Sequence, residues 1–252
     1  MRAQKVFSLS LVEIFCLTVI FTMSISNCTL LADGNMVDEQ QNARIAARRI
    51  EAAWPIRSIN DPVTRYIQAL GQELGEIADG RRVIRWTFTV LRDRAPYAFT
   101  IGAGHIYLAE GVLTFVRNEE ELAAILAHEI GHQLSGHLST PIKSGTRPPL
   151  GLASTRPATV PHQKVGPLTQ IYNLEKEEDA DRRAIHILQR AGFDPNALVK
   201  VLKRLPSGGA YHYYNDERRT LALQQALAGV PSPSRQDSED FQTIQKLVKY
   251  EQ

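Results

Sequence analysis

Apolar residues recur along most of this chain at the three- and four-residue spacing of helices. The clearest case begins at Asp61, a helix N-cap residue, with Pro62 at the first helical position. Its apolar stripe comprises Val63, Tyr66, Ile67, Leu70, Leu74 and Ile77, which share one helical face. Similar patterns predict further helices over residues 37–53, 168–190, 195–205, 215–228 and 239–249.

Downstream of the helix that starts at Asp61, a two-residue period of apolar residues indicates a strand. Trp86, Phe88 and Val90 alternate with threonines, as in a half-buried strand. A turn follows, and then a second extended stretch runs from Ala98 to Leu108. The pattern therefore predicts an α+β fold that is mostly helical and has one small sheet.

The next predicted helix carries the strongest chemical signal in the chain. It starts at Asn118, with Glu121 placed to complete a capping box. His128, Glu129 and His132 then form an H-E-x-x-H motif in its middle. Residues four apart share a helical face, so both imidazoles can bind one metal ion. Glu129 is placed to accept a proton from a metal-activated water.

A catalytic zinc usually has three protein ligands and keeps a fourth position for water. The candidates for the third ligand are Glu177 and Asp181, which are four apart on a later predicted helix. One carboxylate could bind the metal while the other orients a ligand histidine from behind. An acidic run alone indicates a solvated helix face, but the upstream motif favours a metal site.

Composition and charge set the class of protein. The 252 residues are 43% hydrophobic and 22% charged, with a net charge of +2. This is sufficient for one globular domain and indicates no nucleic-acid partner. Residues 1–28 have the layout of a signal peptide, 29–35 form a linker, and 36–252 form the domain, with a long loop at 139–167.

Cys28 lies at the end of the signal peptide. It fits either a lipoprotein signal, in which the cysteine is acylated, or ordinary cleavage beside a chance cysteine. The first alternative attaches the protein to a membrane through its N-terminus. The mature domain contains no cysteine, so it cannot form an internal disulfide.

Two segments together carry a resemblance to a known family. His128-Glu129-Ile130-Gly131-His132, followed by Glu177-Glu178-Asp179-Ala180-Asp181, resembles the H-E-x-G-H and E-x-x-A-D pair of zinc metallopeptidase family M48. This family includes HtpX-type, Oma-type and CAAX prenyl proteases, and the resemblance covers about residues 40–225. It implies a zincin-like fold in which an edge strand precedes the motif helix. It also implies one zinc per subunit, with Glu177 as third ligand and Asp181 orienting a ligand histidine.

The resemblance implies roles for residues outside these two motifs. Gly102, Ala103, Gly104 and His105 lie in the stretch expected to pair with substrate backbone as an edge strand. His212 and Arg218 keep the spacing of a late H-P-x-x-x-x-R motif. His212 is then a catalytic residue that stabilises the oxyanion or gates the metal, and Arg218 is a second candidate for that role.

The function expected from these features is that of a zinc endopeptidase in a bacterial cell envelope. It would be exported to the periplasm, or attached to the membrane on that side, and would hydrolyse unfolded or misassembled polypeptides. It most resembles single-domain periplasmic or lipoprotein members of the family. The alternative is a latent metal-binding, chaperone-like or adaptor protein in which the 139–167 loop occludes the site. The pattern carries no signal for an oligomeric state.

Overall fold

The computed structural model describes residues 39–80, 83–137, 174–205, 217–233 and 235–251. Backbone contacts divide the chain into Met1–Gln41 and Asn42–Gln252, and the fold and site below lie in the second unit. Among the described helices, none has the length and apolar character needed to cross a membrane. The predicted signal peptide with Cys28, the 29–35 linker, the 139–167 loop and His212 lie outside the described residues.

Eight helices and three strands are described, in an order that confirms a mostly helical α+β fold. Helix α1 covers residues 39–53. The remaining elements are α2 Pro62–Ala78, β1 Thr87–Leu91, β2 Ala98–Gly102, β3 His105–Ala109, α3 Gly111–Phe115, α4 Glu119–Leu134, α5 Leu174–Ala191, α6 Ala197–Leu202, α7 Glu217–Ala226 and α8 Glu239–Glu251. The short helix α3 was not predicted from the sequence pattern.

Helix α2 forms where its cap and apolar stripe predicted it. The Asp61 carboxylate accepts a hydrogen bond of 2.8 Å from the Val63 backbone N–H, which satisfies a free donor of the first turn. The helix lies directly on the first strand. A Cβ added at Gly71 would lie 2.5 Å from the Phe88 ring, so only glycine permits this close packing.

The sheet has the strand order β1-β3-β2, so β3 is central. Strand β1 pairs with β3 in parallel, and β2 pairs with β3 in antiparallel orientation. The predicted single extended stretch from Ala98 to Leu108 is wrong, because it folds into the β2–β3 hairpin. Ala103 and Gly104 form its turn with φ values of 49° and 80°, a left-handed conformation that ends a strand.

This hairpin separates the four residues predicted to form the substrate edge. Gly102 ends β2, Ala103 and Gly104 lie in the turn, and His105 begins the central strand, where it faces partners on both sides. A central strand has no free backbone edge to offer a peptide. The edge strand next to β3 is β2 itself, Ala98–Gly102, whose outer side has no partner strand among the described residues.

Helix α4 runs through the centre of the domain and packs against α2, β2, α5 and α6. Its closest partner is α5, because Gly131 lies against the backbone of Ala180. A Cβ at Gly131 would lie only 2.6 Å from the Ala180 carbonyl oxygen. The glycine of the H-E-x-G-H motif therefore brings the two helices close enough for side chains of α5 to reach the histidines of α4.

Candidate metal centre

The start of α4 is fixed by reciprocal capping, which keeps the histidine motif away from a frayed end. The Asn118 side chain accepts a hydrogen bond of 3.0 Å from the Glu121 backbone N–H, and the Glu121 carboxylate accepts one of 2.8 Å from the Arg117 N–H. Glu121 also pairs with Arg204, next to α6. The helix therefore holds His128 and His132 in a rigid, buried segment.

His128, His132 and Glu177 form a compact group of three potential metal ligands. The two histidine Nε2 atoms are 3.0 Å apart. The Glu177 carboxylate lies across both, with Oε2 at 3.4 Å from His128 Nε2 and Oε1 at 3.5 Å from His132 Nε2. Ligands at 2.0–2.1 Å from a tetrahedral zinc are about 3.3 Å apart. The separations and the donor set of two imidazoles and one carboxylate therefore fit zinc.

Asp181 lies behind His128, one helical turn beyond Glu177. Its Oδ1 is 2.9 Å from His128 Nδ1, which leaves His128 Nε2 directed at the centre of the group. A carboxylate in this position fixes the ring orientation and the tautomer of a ligand histidine. On the other histidine, Nδ1 of His132 lies 3.3 Å from Nδ1 of His137.

A buried arginine that sequence reasoning missed joins the two carboxylates. Arg219 on α7 is 2% exposed. Its Nη1 is 2.7 Å from Glu177 Oε2, and its Nε and Nη2 donate hydrogen bonds of 2.7 and 2.8 Å to Asp181. The spacing of the late motif pointed to Arg218, but that side chain is exposed. Two buried carboxylates need a cation beside them, and this requirement was the signal that could have identified Arg219.

This charge arrangement sets the ionisation of the group. Burial opposes ionisation of Glu177 and Asp181, but Arg219 outweighs it and lowers both pKa values, that of Asp181 to about 2. Burial would also lower the pKa of His128, but hydrogen bonds to Asp181 and Glu177 raise it to about 9. Burial and the charge of His128 lower the pKa of His132 to about 4. Both carboxylates are thus ionised, so Glu177 can bind a metal ion, whereas His128 must lose a proton to do so.

Glu129 is buried next to these residues but does not belong to the group of three ligands. It lines a cleft together with His128 and Arg219. Burial raises the pKa of its carboxyl group to about 7. A carboxylate with a pKa near neutrality can both accept and donate a proton at physiological pH, which is what a general base and acid requires.

Replacing Arg219 with leucine is expected to destabilise the zinc-free protein by about 3–5 kcal/mol, because it leaves two buried carboxylates without their cation. Arg65→Leu is the control, since it removes the same charge from an exposed position on α2 and should change stability by less than about 0.5 kcal/mol. Urea unfolding followed by circular dichroism measures both. Equal effects of the two substitutions would contradict the role assigned to Arg219.

Comparison with known proteins agrees with this geometry. Peptidase family M48 matches residues 62–243. The putative beta-barrel assembly-enhancing protease of Vibrio cholerae is 32% identical over 167 residues, which are 58% of this chain and 34% of that protein. The Escherichia coli K12 beta-barrel assembly-enhancing protease is 28% identical over 193 residues, 69% of this chain and 38% of that protein.

A eukaryotic relative matches over a similar region. The mitochondrial metalloendopeptidase OMA1 of Schizosaccharomyces pombe is 26% identical over 192 residues, which are 72% of this chain and 56% of that protein. This chain therefore spans between about a third and somewhat over half of the length of these curated relatives.

Proposed function

The chain belongs to peptidase family M48, and from this premise we propose that it is a zinc-dependent endopeptidase acting on unfolded or misassembled proteins of the bacterial cell envelope. The observation that carries the proposal is the group of His128, His132 and Glu177 with Glu129 buried beside it. Three nitrogen and oxygen ligands leave one position of a tetrahedral metal for water, as in catalytic rather than structural zinc sites.

The proposed mechanism assigns one task to each residue. His128, His132 and Glu177 would hold a zinc ion, and the bound ion would supply the Lewis acidity needed to activate water and polarise the scissile carbonyl. Glu129 accepts the proton of the attacking water and returns it to the leaving amine. Asp181 keeps His128 in its ligand orientation from 2.9 Å.

The oxyanion formed during hydrolysis needs a further donor. We retain His212 for this task, with Arg218 as a second candidate on the exposed side of α7. Arg219 lines the same cleft as Glu129, but its guanidinium is already paired with Glu177 and Asp181. We therefore propose that Arg219 stabilises the carboxylates of Glu177 and Asp181 and does not act on the oxyanion.

The outer edge of β2, next to which the described residues place no further strand, is the proposed site for the substrate backbone. Strand β2 is tied to α4 because the Thr100 hydroxyl donates a hydrogen bond of 2.9 Å to Gln133 Oε1. Ala98, at its start, lines the cleft that also contains His128 and Glu129. A peptide added along this edge as an extra strand would pass next to the proposed catalytic base.

The proposed location rests on the N-terminal pattern and on the relatives. Residues 1–28 are assigned as a signal peptide, with Cys28 as a candidate for lipidation, 29–35 as linker and 36–252 as the peptidase domain. The Vibrio and Escherichia relatives are named for enhancing beta-barrel assembly. These features support a role in the assembly or quality control of envelope proteins, in the periplasm or attached to its membrane.

The test uses lysozyme as the substrate, in an unfolded and in a native state. The zinc-loaded full chain should degrade lysozyme that has been reduced and alkylated, and leave native lysozyme intact, because an extended backbone is needed to pair with β2. A chelator should stop degradation and added zinc should restore it. If unfolded lysozyme is bound but never cut, the proposal fails in favour of a latent, chaperone-like metal-binding protein.

A further inference from the structure

A cleft opens to solvent beside His128 and Glu129. Apart from these two residues and Arg219, its lining is apolar or aromatic and includes Tyr97, Phe115, Ile125, Val201, Leu202 and Leu205. We call this space the apolar cleft. This composition is that of sites that bind an organic side chain rather than an ion.

Helical faces form most walls of the apolar cleft, and residues 96–98, at the start of β2, form the remainder. Ile125, His128 and Glu129 lie three and four residues apart on α4, so they share a face. Val201 and Leu202 come from α6, and Val112, Leu198 and Leu202 belong to the main hydrophobic core. Such a cleft is preformed, and a ligand does not have to order it on binding.

Several apolar side chains in this cleft are only partly buried. Phe115, Ile125 and Leu205 pack against the core on one side and keep part of their surface accessible. Covering such a surface with an apolar side chain removes both surfaces from water, which is favourable in proportion to the area covered. A charged side chain would instead be desolvated, and Arg219 is already paired with Glu177 and Asp181.

The position of Glu129 indicates which substrate residue enters. In the proposed reaction Glu129 returns a proton to the leaving amine, so that nitrogen must come within about 3 Å of its carboxylate. The amine belongs to the residue that follows the scissile bond. The side chain of that residue therefore begins close to Glu129, where the apolar cleft opens. His132, the second histidine of the motif, does not line the cleft.

We propose that the apolar cleft selects a large aliphatic or aromatic side chain at the residue immediately after the scissile bond. This inference rests on the proposed peptidase function, whose site it deepens. A hydrophobic pocket distinguishes side chains that differ by one or a few methylene groups by about 10- to 200-fold. Ile125 and Phe115 are the residues that set the size limit, because both project into the cleft from its partly exposed wall.

The test is cleavage of a diverse peptide mixture by the zinc-loaded full chain, with the cut positions read by mass spectrometry. Leucine, isoleucine, methionine, phenylalanine and tyrosine should be enriched at least about tenfold over serine and aspartate directly after the cut. Ile125→Phe fills the cleft and should shift the preference to alanine and valine. Leu221→Phe is the matched control, since Leu221 is 56% exposed on α7, outside the cleft, and should leave the pattern unchanged.

The outcomes separate this inference from the proposed function. Cleavage with no preference after the cut, or with a preference that Ile125→Phe leaves unchanged, overturns the inference and leaves the peptidase function standing.

Absence of any cleavage overturns the function, and peptide binding then tests the selectivity of the apolar cleft. A labelled glycine-serine peptide with one central phenylalanine should bind more tightly than its serine counterpart, and Ile125→Phe should remove the difference. Equal binding of the two peptides by the parent protein would overturn the inference.

Discussion

Glu129→Gln is expected to abolish measurable proteolysis while zinc stays bound. Glutamine has nearly the shape of glutamate, but its amide cannot accept the proton of the attacking water. General acid–base catalysis contributes about 10²–10⁴-fold to the rate, and the loss should lie in kcat. Zinc content should not change, because Glu129 is not one of the three potential ligands, which are His128, His132 and Glu177.

Three measurements make this prediction specific. Hydrolysis of a quenched fluorescent peptide gives kcat and KM, elemental analysis gives the zinc content, and thermal unfolding reports the integrity of the fold. Glu73→Gln is the matched control, since Glu73 is an exposed glutamate on α2 and its substitution should leave all three quantities unchanged. A Glu129→Gln protein that retains zinc and parental kcat would exclude Glu129 as the base.

Glu177→Gln is expected to weaken zinc binding by at least about 100-fold. Loss of a residue that only orients a ligand weakens metal sites by about 10–100-fold, and Glu177 lies across both histidine Nε2 atoms at 3.4 and 3.5 Å. A neutral amide oxygen is a poorer zinc ligand than a carboxylate. The substitution also removes one of the two buried carboxylates that pair with Arg219.

Competition with a chromophoric chelator measures this affinity directly. Glu175→Gln is the matched control, because Glu175 lies on the same helix with the same charge but is exposed. The parent and Glu175→Gln should also melt at higher temperature with zinc than without it, since a ligand that binds the native state stabilises it. If Glu177→Gln keeps the parental zinc affinity and the same thermal shift, the third ligand has been assigned to the wrong residue.

Local patterns were sufficient where a structural feature depends on neighbours in the chain. The cap and stripe of α2, the capped start of α4, and the shared face of His128 and His132 all follow from helical spacing. The same spacing limited the third ligand to Glu177 or Asp181, and the family resemblance then favoured Glu177. In the structure Glu177 faces both histidines and Asp181 lies behind His128, an arrangement compatible with those two roles.

Local patterns failed where the answer depends on a partner distant in sequence. The stretch from Ala98 to Leu108 is mainly apolar on both sides of Gly102 and Gly104, and the pairing of β2 with β3 shows that it turns at Ala103 and Gly104. His105 consequently lies on the central strand β3 rather than on the edge strand β2. Strand pairing brings together segments that are distant in the sequence, so hydropathy alone cannot show which strand lies at the edge of the sheet.

The chain by itself determined the class of fold and the chemistry of its motifs, because helix spacing and ligand type are properties of short segments. Tertiary structure decided which of two adjacent arginines became the buried cation, since only Arg219 faces Glu177 and Asp181 when α7 packs against α5. It also created the apolar cleft, whose walls come from five separate segments. Both features exist only after segments distant in the chain have packed together. Burial makes an unpaired carboxylate costly, so a cation is needed, and it makes the contact of an apolar wall with another apolar group favourable.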